Sequence, residues 1–147
     1  MPNIHGAATT ILSAIVADVI AACKGSEHFG TEVTPGIMYR VCKTLEVSGA
    51  HRLELDYESK CNNLHGHNWI IRVYAQSQQL DNNGMVVDFT HIKKKVCDTL
   101  DHKFINNVVN FNPTAENIAR YVAELVGPKC YKVEVQESEG NIAEYEV

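Results

Sequence analysis

The sequence predicts an α+β domain built on an antiparallel sheet, and three observations support this fold class. Apolar residues alternate with polar ones in 39–47 and again in 69–73, as in half-buried strands. Two segments with helical spacing follow, and a pair of short strands closes the chain. Helices grouped between strand pairs are typical of α+β folds, in which the helices cover one face of the sheet.

Residues 1–37 have a different pattern from the rest of the chain. Apolar pairs recur every four positions within 7–23, which predicts an amphipathic helix, and a Gly-, Thr- and Pro-rich loop follows. The helix lacks a basic flank, and Asp18 interrupts its apolar run, so we expect neither a signal peptide nor a membrane span. We therefore divide the chain into an amino-terminal helical appendage with its linker, 1–37, and a domain, 38–147.

The first two strands of the domain present one apolar side each. The apolar sides are formed by Tyr39, Val41, Leu45 and Val47 in the first strand and by Trp69, Ile71 and Val73 in the second. The run Asp81-Asn82-Asn83-Gly84 then marks a turn.

Two helices and a hairpin complete the predicted order. Phe89, Ile92, Val96 and Leu100 keep helical spacing. A second helix is predicted to begin after Thr114 as N-cap and to end at Gly127-Pro128. Val133 and Val135 begin the last strand pair, which turns around residues 139–141.

Charge and cysteine content exclude some functions. Thirteen Lys and Arg against 18 Asp and Glu leave a net charge of −5, which argues against binding nucleic-acid backbones or anionic membranes. The five cysteines are odd in number and form no C-x-x-C pair, so we expect free thiols and a cytoplasmic location.

Three histidines have the positions expected of metal ligands. His65 and His67 are two apart in an extended segment, and they share the parity of the apolar side of the second strand. His51 has the parity of Val47 in the first strand, so three imidazoles can enter one interior. Three imidazoles with one open position describe a catalytic zinc site. By geometry alone, unrelated histidines remain the alternative.

Other residues near these histidines carry acid–base potential. Cys61 precedes the histidine pair, and a thiol beside a cation can act as a base, although an inert core cysteine is the alternative. Asp101 can orient the adjacent His102, but such pairs also occur by chance. Glu137 has inward parity and would need a partner with N–H donors, unless it is exposed at the strand end.

Together these residues resemble the 6-pyruvoyl-tetrahydropterin synthase family, including its bacterial 6-carboxy-tetrahydropterin synthase branch. The resemblance covers 38–147, in the family's order. The matching stretches are Ala50-His51-Arg52-Leu53, Cys61-Asn62-Asn63-Leu64-His65-Gly66-His67-Asn68, Gly84-Met85-Val86-Val87-Asp88-Phe89, Leu100-Asp101-His102, Pro113-Thr114-Ala115-Glu116-Asn117 and Val133-Glu134-Val135-Gln136-Glu137-Ser138.

The resemblance implies a fold, an assembly and a set of roles. The fold is the tunnelling fold (T-fold), ββααββ with two helices on one face of the sheet, typically assembled as a hexamer of two trimers with shared active sites. One zinc ion per subunit would be bound by His51, His65 and His67. Cys61 would be the general base, Asp101 and His102 the proton relay, and Glu137 and Thr114 the anchors of a pterin ring.

The spacing of the cysteine favours one branch of the family. Three residues separate Cys61 from His65, which is the spacing typical of the carboxy-tetrahydropterin enzymes. The pyruvoyl enzymes have a similar motif, with two more residues between the cysteine and the first histidine. The resemblance then implies conversion of 7,8-dihydroneopterin triphosphate to 6-carboxy-tetrahydropterin, acetaldehyde and triphosphate, in queuosine biosynthesis. A pyruvoyl-tetrahydropterin synthase and a catalytically silent pterin- or metal-binding protein are the alternatives. Ser138, where the family often has Thr, is a conservative departure.

Overall fold

A computed structural model describes residues 36–147 of the chain, so the predicted amino-terminal helix lies outside the described residues. Five strands and two α-helices form the described part. In chain order they are β1 (Tyr39–His51), β2 (His65–Ser77), α1 (Phe89–Leu100), β3 (Lys103–Phe104), α2 (Ala115–Val126), β4 (Cys130–Ser138) and β5 (Asn141–Glu146). The predicted α+β class is confirmed. No helix in this part is long and apolar enough to cross a membrane.

The strands form one sheet in the order β3-β1-β2-β4-β5. The four longer strands are antiparallel to their neighbours, and β3 pairs in parallel with β1 at Gly49 and Ala50. In the central pair, Leu45 is opposite Ile71 and Val47 is opposite Trp69. This register places the apolar sides of both strands on the same face of the sheet.

Both helices pack on that apolar face. Their buried residues, among them Ile92, Val96, Ile118 and Val122, form one core with the inward residues of β1, β2 and β4. Asp88 caps α1 by accepting a hydrogen bond from the N–H of Thr90. Thr114 caps α2 as predicted, by accepting from the N–H of Asn117.

The strand β3 was not predicted from the sequence. Its two residues, Lys103 and Phe104, are too few to show an alternating pattern, and their pairing depends on α1 ending beside β1. Short 3-10 turns at Lys60–Asn62 and Ile105–Asn107 were missed for the same reason. These additions leave the predicted order of the longer elements unchanged.

Candidate metal centre

Three histidines converge where β1 ends and β2 begins. His51 and His65 are directly opposite in the register, and His67 lies two residues further along β2. The ring centroids of His51 and His65 are 4.5 Å apart, and those of His65 and His67 are 5.0 Å apart. One ligand atom from each residue lies within 4.8 Å of the others. The predicted convergence of these side chains is thus observed, and the three residues could hold a metal ion.

Backbone carbonyl groups orient two of the rings. The Nδ1 atom of His51 is 2.9 Å from the carbonyl oxygen of Pro113, and that of His65 is 2.8 Å from the carbonyl oxygen of Asn63. A carbonyl accepts only from a protonated Nδ1, so in the neutral form of each ring Nε2 is left with its lone pair. This arrangement is common for metal-binding histidines, because the hydrogen bond fixes both tautomer and ring orientation.

The electrostatics of the site favour the neutral form of its most buried histidine. His51 is fully buried. Burial lowers the pKa of His51, and the nearby His65 and His67 act in the same direction against the raising effects of Pro113 and Glu137. A neutral imidazole is the form that binds a metal.

Two ring nitrogens in the centre have no hydrogen-bond partner. The Nε2 atoms of His51 and His67 are buried and unpaired among the described residues. A buried nitrogen without a partner is costly, and a divalent cation would satisfy both atoms. The residues therefore fit the zinc ion that the family resemblance implies.

Trp69 and Glu137 enclose the imidazoles. The indole of Trp69, 1% exposed, lies edge-on to His51 and His67, with centroid distances of 4.8 and 5.3 Å. Glu137, near the end of β4, places Oε1 3.5 Å from Nε2 of His51 and 3.8 Å from Nε2 of His67. The inward orientation predicted for Glu137 from its parity is observed.

The segment between His51 and Cys61 is held by two asparagine side chains. Asn106 accepts from the N–H of Arg52 and donates to its carbonyl, both at 2.9 Å. Asn112 makes the same pair of hydrogen bonds with Glu54, also at 2.9 Å. The two amide groups thereby satisfy four backbone groups of a segment that belongs to no strand.

Cys61 lies at the end of that segment, in the turn Lys60–Asn62. Its carbonyl accepts from the N–H of Leu53 at 2.8 Å, and its own N–H donates to Oγ of Ser59 at 3.2 Å. These bonds tie the cysteine to the segment that follows His51. The thiol is partly exposed. In the described residues it has no hydrogen bond to the histidines or to Asp101.

Asp101 and His102 form a pair at the end of α1. Nδ1 of His102 is 3.0 Å from Oδ1 of Asp101, and that same oxygen accepts from the N–H of Ser48 at 2.9 Å. The Ser48 hydrogen bond lowers the pKa of Asp101, with His102 contributing in the same direction. His102 itself is exposed and has a positive φ of 55°, a backbone conformation that most residues avoid.

Two clefts adjoin the candidate centre. One, of about 650 Å³, is lined by residues that include His67, His102 and Lys103. The other, of about 430 Å³, is lined by residues that include Leu53, Tyr57, Thr114 and Glu137. The structure thus groups Glu137 and Thr114 in one cleft and places His102 beside His67 in the other.

Several contributors to this site were missed from the sequence. Pro113 and Asn63 act through backbone carbonyls, and Ser48 acts through its N–H, so their side chains carry no signal. Asn106 and Asn112 are polar residues in loops, where asparagine is common for other reasons.

The α+β sheet with three convergent imidazoles is that of a candidate metalloprotein, and the family model of 6-pyruvoyl tetrahydropterin synthase matches residues 40–147. The chain belongs to this family.

Individual relatives and a solved structure agree with this assignment. A 6-carboxy-5,6,7,8-tetrahydropterin synthase of Synechocystis is 34% identical over 121 residues, covering 74% of this chain and 93% of the relative. A Pyrococcus abyssi protein, provisionally given the same name, is 42% identical over 69 residues, which span 47% of this chain and 43% of that protein. The structure of Caenorhabditis elegans 6-pyruvoyl tetrahydropterin synthase superposes with a TM-score of 0.63 at 31% identity, covering 76% of this chain and 96% of the other.

Proposed function

We propose that this chain is a zinc-dependent 6-carboxy-5,6,7,8-tetrahydropterin synthase. It would convert 7,8-dihydroneopterin triphosphate to 6-carboxy-tetrahydropterin, acetaldehyde and triphosphate, as a step of queuosine biosynthesis. The convergence of His51, His65 and His67, with two unpaired buried Nε2 atoms, carries the proposal. The three-residue spacing between Cys61 and His65 and the name of the Synechocystis relative favour the carboxy branch.

The three histidines would hold one zinc ion. Bound there, zinc supplies Lewis-acid polarisation of the oxygens of the substrate side chain, which makes the neighbouring C–H bond more acidic. The carbonyl groups of Pro113 and Asn63 keep Nε2 of His51 and His65 directed inward. The protein thereby contributes a preformed set of imidazole ligands.

The smaller cleft has the chemistry to bind a pterin ring. Its volume of about 430 Å³ suits a small heterocycle. Leu53 and Tyr57 offer apolar and aromatic surface, and the Glu137 carboxylate can accept two hydrogen bonds from the amino and ring N–H groups of the pterin. Thr114, the N-cap of α2, lies in the same cleft. The hydrogen bonds between Glu137 and the pterin ring would direct the side chain of the substrate toward the histidines.

Proton transfer is assigned to Cys61 and to the Asp101–His102 pair. Cys61, as thiolate, would remove the acidified proton. Asp101 holds the Nδ1–H of His102, so that Nε2 can exchange protons with the side-chain oxygens. The Ser48 N–H keeps Asp101 ionised by lowering its pKa, which strengthens its hold on His102.

The open edges of the sheet support the proposal of an oligomer with shared active sites. Within 36–147, β3 pairs only with Gly49 and Ala50, so residues 39–47 of β1 have no strand partner on that side. The outer edge of β5 is also unpaired in this part of the chain. Unpaired edges favour pairing between copies, and the family's hexameric assembly would use both.

One assay tests the proposed reaction. The purified zinc-loaded protein is incubated with 7,8-dihydroneopterin triphosphate, and acetaldehyde and triphosphate are measured. Equimolar release of both is the expected result. Triphosphate without acetaldehyde would instead identify a 6-pyruvoyl-tetrahydropterin synthase, the alternative favoured by the C. elegans structure. Release of neither would leave only a binding role.

A further inference from the structure

The Glu137 carboxylate lies between two imidazole nitrogens at distances that do not suit hydrogen bonds. Its Oε1 atom is 3.5 Å from Nε2 of His51 and 3.8 Å from Nε2 of His67. Hydrogen bonds between N–H and oxygen are about 2.7–3.2 Å long. Both nitrogens indeed have no hydrogen-bond partner in the described part of the chain. The three atoms are thus close together without bonding directly.

These distances are near those between ligands of a single metal ion. Zinc binds nitrogen and oxygen at about 2.0–2.2 Å, which places two ligands of a tetrahedral site about 3.3–3.5 Å apart. The carboxylate oxygen is therefore a short movement from a ligand position. Carboxylates are ordinary zinc ligands, and a fourth protein ligand would close the site.

We infer that Glu137 is a displaceable fourth metal ligand, which closes the site of His51, His65 and His67 in the absence of substrate and leaves it to bind the pterin. This inference rests on the proposed function and adds a switch to it. The open coordination position then appears only when a ring with N–H donors is present in the cleft.

The position of Glu137 allows both roles. The β4–β5 register shifts between Gln136 and Ser138, so a bulge surrounds Glu137. Bulges commonly redirect side chains next to functional sites. The side chain is 25% exposed and also lines the cleft that contains Thr114. One carboxylate therefore faces the imidazoles and the cleft together, and a small rotation would transfer it between them.

Binding of the ring and closure of the metal site would consequently compete. A pterin that draws Glu137 away removes one metal ligand, so each should weaken the other by the same factor, by thermodynamic linkage. A pterin without side-chain oxygens isolates this effect, because it cannot replace the lost ligand.

The first arm of the test uses Co²⁺ alone with the full chain. The visible spectrum and the affinity for Co²⁺, measured against a competing chelator, are compared between wild type and Glu137→Gln. Gln keeps the shape of the side chain but is a much poorer ligand. We expect a changed spectrum and affinity lower by about tenfold or more. Glu139→Gln, a change of an exposed carboxylate in the adjoining turn, is the matched control and should resemble wild type.

The second arm adds 6-methylpterin to the Co²⁺-loaded proteins. The wild-type spectrum should move to that of Glu137→Gln, and the variant's own spectrum should not change. Identical spectra and affinities of wild type and Glu137→Gln would overturn the inference. A wild-type spectrum that 6-methylpterin does not change would show that the pterin does not displace Glu137 from the metal. The Co²⁺ arm needs no turnover. If the acetaldehyde assay fails but the Co²⁺ spectra of wild type and Glu137→Gln differ, only the proposed reaction is contradicted. If acetaldehyde is released but the two spectra are identical, only this inference is contradicted.

Discussion

His51 and His65 are paired in register across β1 and β2, with ring centroids 4.5 Å apart. Thirteen residues of chain separate them, and the pairing of Val47 with Trp69 in the same ladder fixes their alignment. A slip of one residue would send every side chain of one strand to the opposite face. The apolar core of the sheet therefore sets the geometry of the candidate metal centre.

Loss of a ligand and loss of the base should have different effects. His65→Ala removes a metal-binding nitrogen, so we expect zinc content and turnover to fall together. Cys61→Ala should keep one zinc per chain but lower turnover by about 100-fold or more, since general-base catalysis typically contributes that much. Zinc content by elemental analysis and acetaldehyde release measure the two effects.

Cys42→Ala is the matched control for that experiment. Cys42 is an exposed cysteine of β1 on the face away from the histidines. It should retain both zinc and activity. Full turnover in Cys61→Ala would refute the assignment of Cys61 as the base.

The single tryptophan should report on metal binding. Trp69 is the only tryptophan in the chain, and its indole packs edge-on against His51 and His67. Paramagnetic Co²⁺ bound by those rings would quench its emission, and Zn²⁺ should restore it by competition. Fluorescence titration of the metal-free protein measures this. His65→Ala is the control, and equal quenching in that variant would show that Co²⁺ binds elsewhere.

Removal of one asparagine side chain should destabilise the segment before Cys61. Asn112→Ala leaves the N–H and carbonyl of Glu54 without their partners. We expect unfolding free energy to fall by about 1–2 kcal/mol, because the loss of two partly exposed hydrogen bonds is moderate. Urea unfolding gives the value. Asn110→Ala, at an exposed position in the same loop, should be near neutral, and an equal loss there would contradict the role given to Asn112.

The loss of folding stability at acid pH should depend in part on Asp101. Its pKa in the folded state is lowered, first by the Ser48 N–H. A carboxyl group with a lowered pKa stabilises the fold above its unfolded pKa, and this contribution is lost as pH falls through the folded value. For Asp101 the loss begins near its ordinary value of 3.8 and continues below it.

Asp101→Asn removes the ionisable group, and so tests whether ionised Asp101 stabilises the fold. Denaturant midpoints measured from neutral pH down to about 2 should fall less steeply for the variant than for wild type in the acid range. Parallel curves would show that Asp101 is not stabilised in its ionised form.

Much of the fold was predictable because one face of each element is buried. The spacing of Ile92, Val96 and Leu100 predicted α1, and Thr114 predicted the start of α2, since an N-cap side chain acts within its own turn. By contrast, β3 depends on contact between distant segments. No local pattern encodes its parallel pairing with Gly49 and Ala50.

The sequence by itself determined which side chains share a face: parity placed His51, His65, His67 and Glu137 toward one interior, because the period of an extended strand is two. Tertiary structure decided how those groups are arranged there. The carbonyls of Pro113 and Asn63 orient two rings, and the Glu137 carboxylate lies 3.5 Å from Nε2 of His51. Backbone carbonyls are present in every residue, and distances across a sheet depend on register and bulges, so only the folded chain contains this information.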